Sequence, residues 1–316
     1  MEVLDASELK KRYGNVEWVS PYQRIVAMTG DDGFIEVHEF HARGKCIGGS
    51  AWETYHYPRV SKLVLSARRE GPRNIFVLKT GKCDLTLIPG LAGAGVERVE
   101  VKGEDVHITY AGLAGGGIAA TVCRGLAEGV KGIEIHEKGG GGELGRSTLI
   151  LPLKRKLVFG VDDTDEPKRG ATWSLVNEIS NALDQNGVAE YLGHTITQLY
   201  TKNPAKTTNC VSISATFAVE HGSINRLRDL FTTRLKASTF SQHTGVAVYG
   251  SVQPGDGLRE YTLEAKSRIV DLSEAWKVAE KEGVKLIPVT GERGLIGALA
   301  AIGYSDNPDE AVKPFK

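Results

Sequence analysis

The chain is predicted to be an α+β (mixed α/β) protein of two domains, residues 1–153 and 154–316. Three observations predict this. Short apolar runs with strand character alternate with runs of helical period along the whole length. Glycine- and aspartate-bearing turns punctuate the first half at hairpin spacing. An apolar run opening at Lys156 stops abruptly in acidic residues, as a buried strand does where it delivers a site beyond its carboxyl end. With 316 residues, 41% hydrophobic and 25% charged, the chain can bury two cores without disulfide staples.

In the first domain, residues 24–28 and 34–40 read as strands around Thr29-Gly-Asp-Asp-Gly33, whose turn chemistry permits positive φ. Within 53–69, Val60, Leu63, Val64 and Ala67 have helical spacing, and 75–78 returns as a strand. Residues 99–101 and 106–110 alternate across Lys102-Gly-Glu-Asp105 as another hairpin. The glycine run 112–117 precedes an apolar-periodic helix, 118–127, and strands at 133–136 and 148–153 enclose a second glycine run, 139–145. The second domain opens on strand 157–161. Helix 171–183 follows, with Leu175, Val176, Ile179 and Ala182 on one face, closed by Asn186-Gly187. Strands at 195–200 and 211–219, a helix at 224–235, a strand at 246–252, a helix at 271–282 and a strand at 285–289 complete a mixed sheet with helices. Residues 294–302 form a small-residue helix suited to close packing.

Charge and cysteine content exclude several classes. Lys plus Arg equals Asp plus Glu at 39 each, so no overall field draws a polyanion. Cys46, Cys83, Cys123 and Cys210 lie far apart without CxxC pairing, which fits reduced thiols rather than a disulfide framework or zinc ribbon. No charged-then-apolar signal opens the chain, and its longest apolar run, 294–303, is about half of the ~20 residues a membrane helix needs. A cytoplasmic protein with no membrane partner is expected.

Asp162, Asp163 and Asp165 crowd into four positions, so their mutual repulsion opposes folding unless a cation sits among them. Mg²⁺ suits that role, since it takes a few carboxylate oxygens together with waters and substrate phosphates. The alternative is an acidic turn whose side chains cap the next helix. Thr172, near the start of that helix, is either a further cap or a catalytic hydroxyl. Lys202, Lys206 and Arg293 are candidate phosphate contacts, with Thr207, Thr208 and Asn209 gathered beside Lys206 ahead of an apolar strand. Gly140, Gly142 and Gly145 have GxGxxG spacing, but the run lies between strands, which argues against a Rossmann site and leaves a phosphate-covering hairpin or a plain turn. The run 112–117 stands before a helix as a candidate anion loop or a tight packing loop. His38, His41 and Cys46 are a weak zinc set, because strand residues three apart face opposite ways. Gly81-Lys82 lacks the rest of a P-loop, and no GxSxG occurs.

These motifs together are recognisable. Gly160-Val-Asp-Asp-Thr-Asp165 with Thr172, then Leu199-Tyr-Thr-Lys-Asn-Pro204 to Lys206-Thr-Thr-Asn209, then Gly291-Glu-Arg-Gly-Leu-Ile-Gly-Ala-Leu-Ala-Ala-Ile-Gly303 resemble, in the same order, the kinase-like domain of archaeal isoleucine-tRNA agmatinylcytidine synthetase. The resemblance covers about 156–303. The whole chain, including Ala111-Gly-Leu-Ala-Gly-Gly-Gly-Ile118 and the run 139–145, resembles methanogenesis marker protein 11, a family of methane-producing archaea.

The first resemblance implies an enzyme that uses ATP and Mg²⁺ to phosphorylate, and so activate, an acceptor oxygen. It implies Asp162, Asp163 and Asp165 as metal ligands and Asp162, Thr172 and Lys206 as catalytic groups. The expected nucleotide-holding set is Thr164, Arg169, Lys206, Thr207, Asn209, Arg293 and Gly294. Arg169 stands where the synthetase tends to have glycine, adding a cation beside the cluster. The chain stops shortly after Gly303 without the OB-like domain and zinc ribbon that follow in the synthetase, so agmatine transfer to tRNA is not expected. The second resemblance suggests a partner among methanogenesis enzymes or their assembly complexes. The rival expectation is a non-catalytic, nucleotide-binding assembly factor.

Overall fold

The computed structural model describes residues 2–315. It divides into two units, one of residues 2–29 and 33–154, the other of 30–32 and 155–315.

The first unit has two antiparallel sets of strands. Neighbours in one set run Arg24–Thr29, Ile35–Phe40, Arg73–Leu78, Val64–Glu70. In the other they run Glu2–Asp5, Gly132–Gly140, Glu143–Asp162, Asp105–Leu113, Ala94–Lys102, Gly81–Lys82. Alternation along these strands sends Val96, Val106, Ile108, Leu149 and Leu151 into one core. The expected hairpins form, including the one that carries 139–145 between its strands.

Several elements differ from expectation. The helix expected within 53–69 is instead Ile47–Val60, and Val64–Glu70 is an edge strand paired with Arg73–Leu78. Pro58 and the extended Ser61 (φ −111°, ψ 121°) end the helix, and the ladder then satisfies the backbone of the next segment. The helix expected over 118–127 begins as α at Gly115–Ile118, widens into a π turn over Ala119–Cys123 and returns to α for residues 124–125 alone. Thr121 causes the break: its Oγ1 donates to the Gly117 carbonyl at 2.9 Å and the Lys138 carbonyl at 3.2 Å, with its backbone at φ −119°, ψ −110°. Strands 148–153 and 157–161 are parts of one strand, Glu143–Asp162, with no breaker between them. Helices Ala6–Tyr13 and Asp256–Ser267 lie outside the expected elements.

In the second unit the neighbours run Glu190–Gln198, Val211–Val219, residues 155–162 of the long strand, Gly245–Tyr249, Lys285–Pro288, each ladder antiparallel. Helices cover both faces, as the α+β expectation requires. Leu157, Phe159 and Val161 pack with Thr172–Gln185 and Ile224–Ser238, where Phe159 meets Phe231 at 4.5 Å and Phe217 at 5.6 Å between centroids. Val158 packs on the other face with Asp256–Ser267, Leu272–Glu282 and Gly294–Ala300. Burial on both faces explains why this strand is apolar throughout rather than alternating. Gly160 lies where the last of these helices crosses the strand. A Cβ there would fall onto the Ala298 carbonyl oxygen, so only glycine permits the approach. No helix among the described residues is long and apolar enough to cross a membrane.

Candidate functional site

The central strand ends at Asp162, and the chain turns sharply because Asp163 takes a left-handed conformation, φ +63°. Aspartate tolerates that region better than most residues. Segment 239–244 fastens the turn: Thr244 Oγ1 donates to the Asp163 carbonyl at 2.8 Å, while the Phe240 N–H and Thr239 Oγ1 donate to the Thr164 carbonyl at 2.9 and 3.1 Å.

Each acidic residue has a different environment. Asp162 is half-buried, accepts the Asp163 N–H at 2.8 Å through Oδ1, and sets Oδ2 against Gly297, where any side chain would overlap it. Burial, then the neighbouring charge of Asp163, push its carboxyl well above the usual range. Asp163 is held by the fork of Arg293, Nε to Oδ2 at 2.7 Å and Nη2 to Oδ1 at 3.0 Å, with Ser241 Oγ donating at 3.3 Å. This bond raises the guanidinium above its ordinary value. Asp165 accepts Thr207 Oγ1 at 3.2 Å and, at the limit of hydrogen-bond distance, Thr172 Oγ1 at 3.5 Å.

Thr172 does not cap its helix. The cap position is Ala171, with no side-chain bond, and Thr172 instead links Thr164 (Oγ1 to Oγ1, 3.0 Å) to Asp165. Nor do the aspartates cap that helix, so the acidic-cap alternative does not describe this turn. Thr164 and Thr172 are buried and reach the cavity only through Asp165.

Asp162, Asp163, Asp165, Lys206, Thr207, Asn209 and Arg293 line one cavity of the second unit. Lys206 folds back, its Nζ donating to the Thr201 carbonyl at 2.6 Å. Gly294 lies beneath, where a Cβ would strike the Gly245 and Asp162 backbone, and so shapes the floor rather than the lining. Arg169 is not brought to the cavity: it is exposed, bonded to Glu166 at 3.2 Å and set over the Phe240 ring at 4.4 Å. Lys202 is exposed and lies outside the lining.

Several lining residues were not singled out from sequence, among them Gly297, Arg268 and Cys210. Gly297 adjoins Asp162 and lies within the small-residue run that could have pointed to it. Arg268 arrives at the end of helix Asp256–Ser267, tied to Glu264 and Glu274. Cys210 follows Asn209, and burial pushes its thiol up to about 11, too high for a reactive thiolate near neutral pH.

Among the described residues no cluster of three or more metal-ligating groups is arranged around one point. Asp163 is occupied by Arg293, which leaves Asp162 and Asp165 as the carboxylates facing the cavity without a cationic partner among the described residues. Two carboxylates fit a Mg²⁺ that completes its shell with phosphate oxygens and water, and do not fit an all-protein cage.

The central strand, its acidic turn and the helix after it define a recognised domain class: residues 158–223 match the family model described as the TiaS TCKD domain. The chain itself belongs to the family of the uncharacterized protein MJ0921 of Methanocaldococcus jannaschii, to which it is 42% identical over 293 residues, 92% of this chain and 96% of that one. It is also similar to the tRNA 2-agmatinylcytidine synthetase TiaS of Pyrococcus horikoshii, 31% identical over 155 residues, but spans only 36% of that protein's length and 48% of its own. The crystal structure of TiaS in complex with tRNA and ATP aligns with 47% of this chain and 36% of its own, at TM-score 0.42 and 20% identity.

Proposed function

We propose that the chain is an ATP- and Mg²⁺-dependent phosphotransferase or ligase-like enzyme of the methanogenesis marker protein 11 type, activating an acceptor oxygen by phosphorylation. The observation that carries the reading is the meeting in one cavity of the paired Asp162 and Asp165 with Lys206, Thr207, Asn209 and Arg293, in a segment similar to a synthetase that binds ATP. Asp162 and Asp165 would hold Mg²⁺, which would supply neutralisation of the charge that develops as the γ-phosphoryl group moves.

This chain's own residues then have separable tasks. Asp162 and Asp165 hold the metal, and Thr164 and Thr172 fix the rotamer of Asp165. Thr172 is the hydroxyl behind Asp165 that would relay or orient the phosphoryl group, and Thr207 is the threonine whose hydroxyl lies at the cavity itself. Lys206 leaves the Thr201 carbonyl to meet phosphate, while Arg293 stays on Asp163 and turns its outer edge to the nucleotide. The acceptor oxygen belongs to a protein, a cofactor or an RNA. Zero net charge supplies no general attraction for a polyanion, so tRNA is the least favoured of these.

Isothermal titration with MgATP, followed by mass spectrometry for ADP, AMP and phosphorylated Thr172, tests the reading. Binding that weakens roughly tenfold or more in Asp165→Asn is expected. Wild-type protein that takes up no MgATP sinks it. The bidentate Arg293–Asp163 pair favours one second reading, because a fixed cation inside the acidic turn stands in for part of a metal's charge. In that reading the protein is a nucleotide-responsive assembly factor that binds ATP without turnover and co-purifies with a methanogenesis enzyme.

A further inference from the structure

A second cavity, of about 1090 Å³, lies wholly within the first unit and takes no part in the function proposed above. Both glycine runs noted in the sequence end there. They pack backbone on backbone: Gly117 would set a Cβ 2.8 Å from the Gly112 oxygen and 3.0 Å from the Gly145 nitrogen, and Gly139 would set one 2.9 Å from the Gly145 Cα. Their tips, Ala114-Gly115 and 139–141, form one wall. Ala114 is held at φ +51°, a strained conformation for a residue with a Cβ.

The rest of the lining includes aromatic and cationic side chains. Tyr22 and His41, both buried, lie against each other at 4.4 Å between ring centroids with their planes tilted by 44°, and Trp18, 65% exposed, lines the same cavity. Beneath them a fully buried array fixes the floor. Arg124 spans Glu39 and Glu53 with its guanidinium 4.6 Å over the Tyr22 ring, Tyr22 Oη donates to Glu53, and His41 Nε2 lies 3.4 Å from Glu53. His41 Nδ1 accepts the Ala42 N–H at 2.9 Å, so the Nε2 proton faces Glu53. Arg43 and Lys45 stand at the rim, exposed and without an ion pair among the described residues.

We infer that this cavity binds a small organic acid with a flat apolar body, the ring against the exposed Trp18 and its carboxylate or phosphate on Arg43 and Lys45. The exposed indole of Trp18 favours a planar body, and two unengaged cations in the same lining favour an anion. The glycine backbones of the lining leave room for a ring.

The probe is 1-anilinonaphthalene-8-sulfonate, titrated into the full chain by fluorescence, with its uncharged relative N-phenyl-1-naphthylamine as the comparison. Saturable binding of the sulfonate is expected, several-fold tighter than the neutral dye. It should weaken about tenfold in Arg43→Ala plus Lys45→Ala, weaken in Trp18→Ala, and stay unchanged in Asp165→Asn. All these positions except Asp165 are exposed, and the variants should keep wild-type thermal midpoints and near-ultraviolet dichroism. Displacement of the dye by 2-naphthoate alone identifies a carboxylate site, and by 2-naphthyl phosphate alone a phosphate site. No saturable binding, equal affinity for the neutral dye, indifference to the Arg43 and Lys45 changes, or loss in Asp165→Asn each overturns the inference.

Discussion

At the scale of single residues, Asp163 and Arg293 show what a run of acids cannot reveal by itself. Three carboxylates in four positions pose a charge problem, and the fold answers part of it with a guanidinium 130 positions away. Arg293→Lys should therefore not rescue, because an ammonium cannot span both carboxylate oxygens; nucleotide affinity should fall in Arg293→Lys nearly as far as in Arg293→Ala, read by titration calorimetry. Thr172→Ala should lower ATP-dependent turnover by roughly a hundredfold with little change in nucleotide affinity, while Thr172→Ser keeps most activity. Equal loss of affinity and turnover would instead assign Thr172 to holding Asp165.

His38 gives a residue-scale test of the first unit. Its ring is buried, with Nε2 2.8 Å from Glu36 and Arg73 and Arg68 nearby, and burial holds it down to about 4. The unfolded chain keeps the ordinary value near 6.5, so between about 6.5 and 4 the unfolded state binds more protons than the folded one. Stability from this group is full above 6.5 and falls as pH drops toward 4, by about 1.4 kcal/mol per pH unit within that window. Urea titrations at stepped pH should show His38→Gln losing less stability on acidification than wild type.

Among elements, the strand that delivers the acidic turn is the one whose substitution separates stability from binding. Phe159→Ala removes an aromatic packed between Phe217 and Phe231 and should cost about 3–5 kcal/mol in denaturant unfolding, leaving MgATP binding intact in the folded fraction. Gly160→Ala acts differently. Its Cβ meets helix backbone at Ala298, so Gly294–Ala300 must shift, carrying Gly297 from Asp162 and disturbing Arg293 at its start. Both stability, by about 1–3 kcal/mol, and nucleotide affinity should fall together. This strand and the helix Thr172–Gln185 were legible in the sequence because apolar run, acidic stop and helical period are local signals. The helix expected within 53–69 was not, since Val60, Leu63, Val64 and Ala67 have helical spacing and the ladder to Arg73–Leu78 overrode that local signal.

For the whole molecule, two units, each with a cavity of its own, predict two separable ligand responses. MgATP at a hundredfold excess over its dissociation constant should stabilise the unit that binds it by about 2.7 kcal/mol, seen as a calorimetric transition moving upward. Asp165→Asn should abolish that shift. The family shared with the Methanocaldococcus jannaschii protein spans both halves, whereas the similarity to the synthetase covers about half of the chain.

Sequence by itself determined the α+β class, the central strand, the acidic turn at its end and most of the residues that gather around it. Short-range preferences, burial period and charge crowding act within a few neighbours and can be read there. Tertiary structure alone decided that Asp163 is taken by Arg293 while Asp162 and Asp165 stay open, that Arg169 lies outside the cavity over Phe240, and that Arg268 lies within it. It also brought the two glycine runs together against Tyr22 and His41. These outcomes depend on which distant backbones approach closely enough to share a hydrogen bond or exclude a side chain, and local preference carries no record of that.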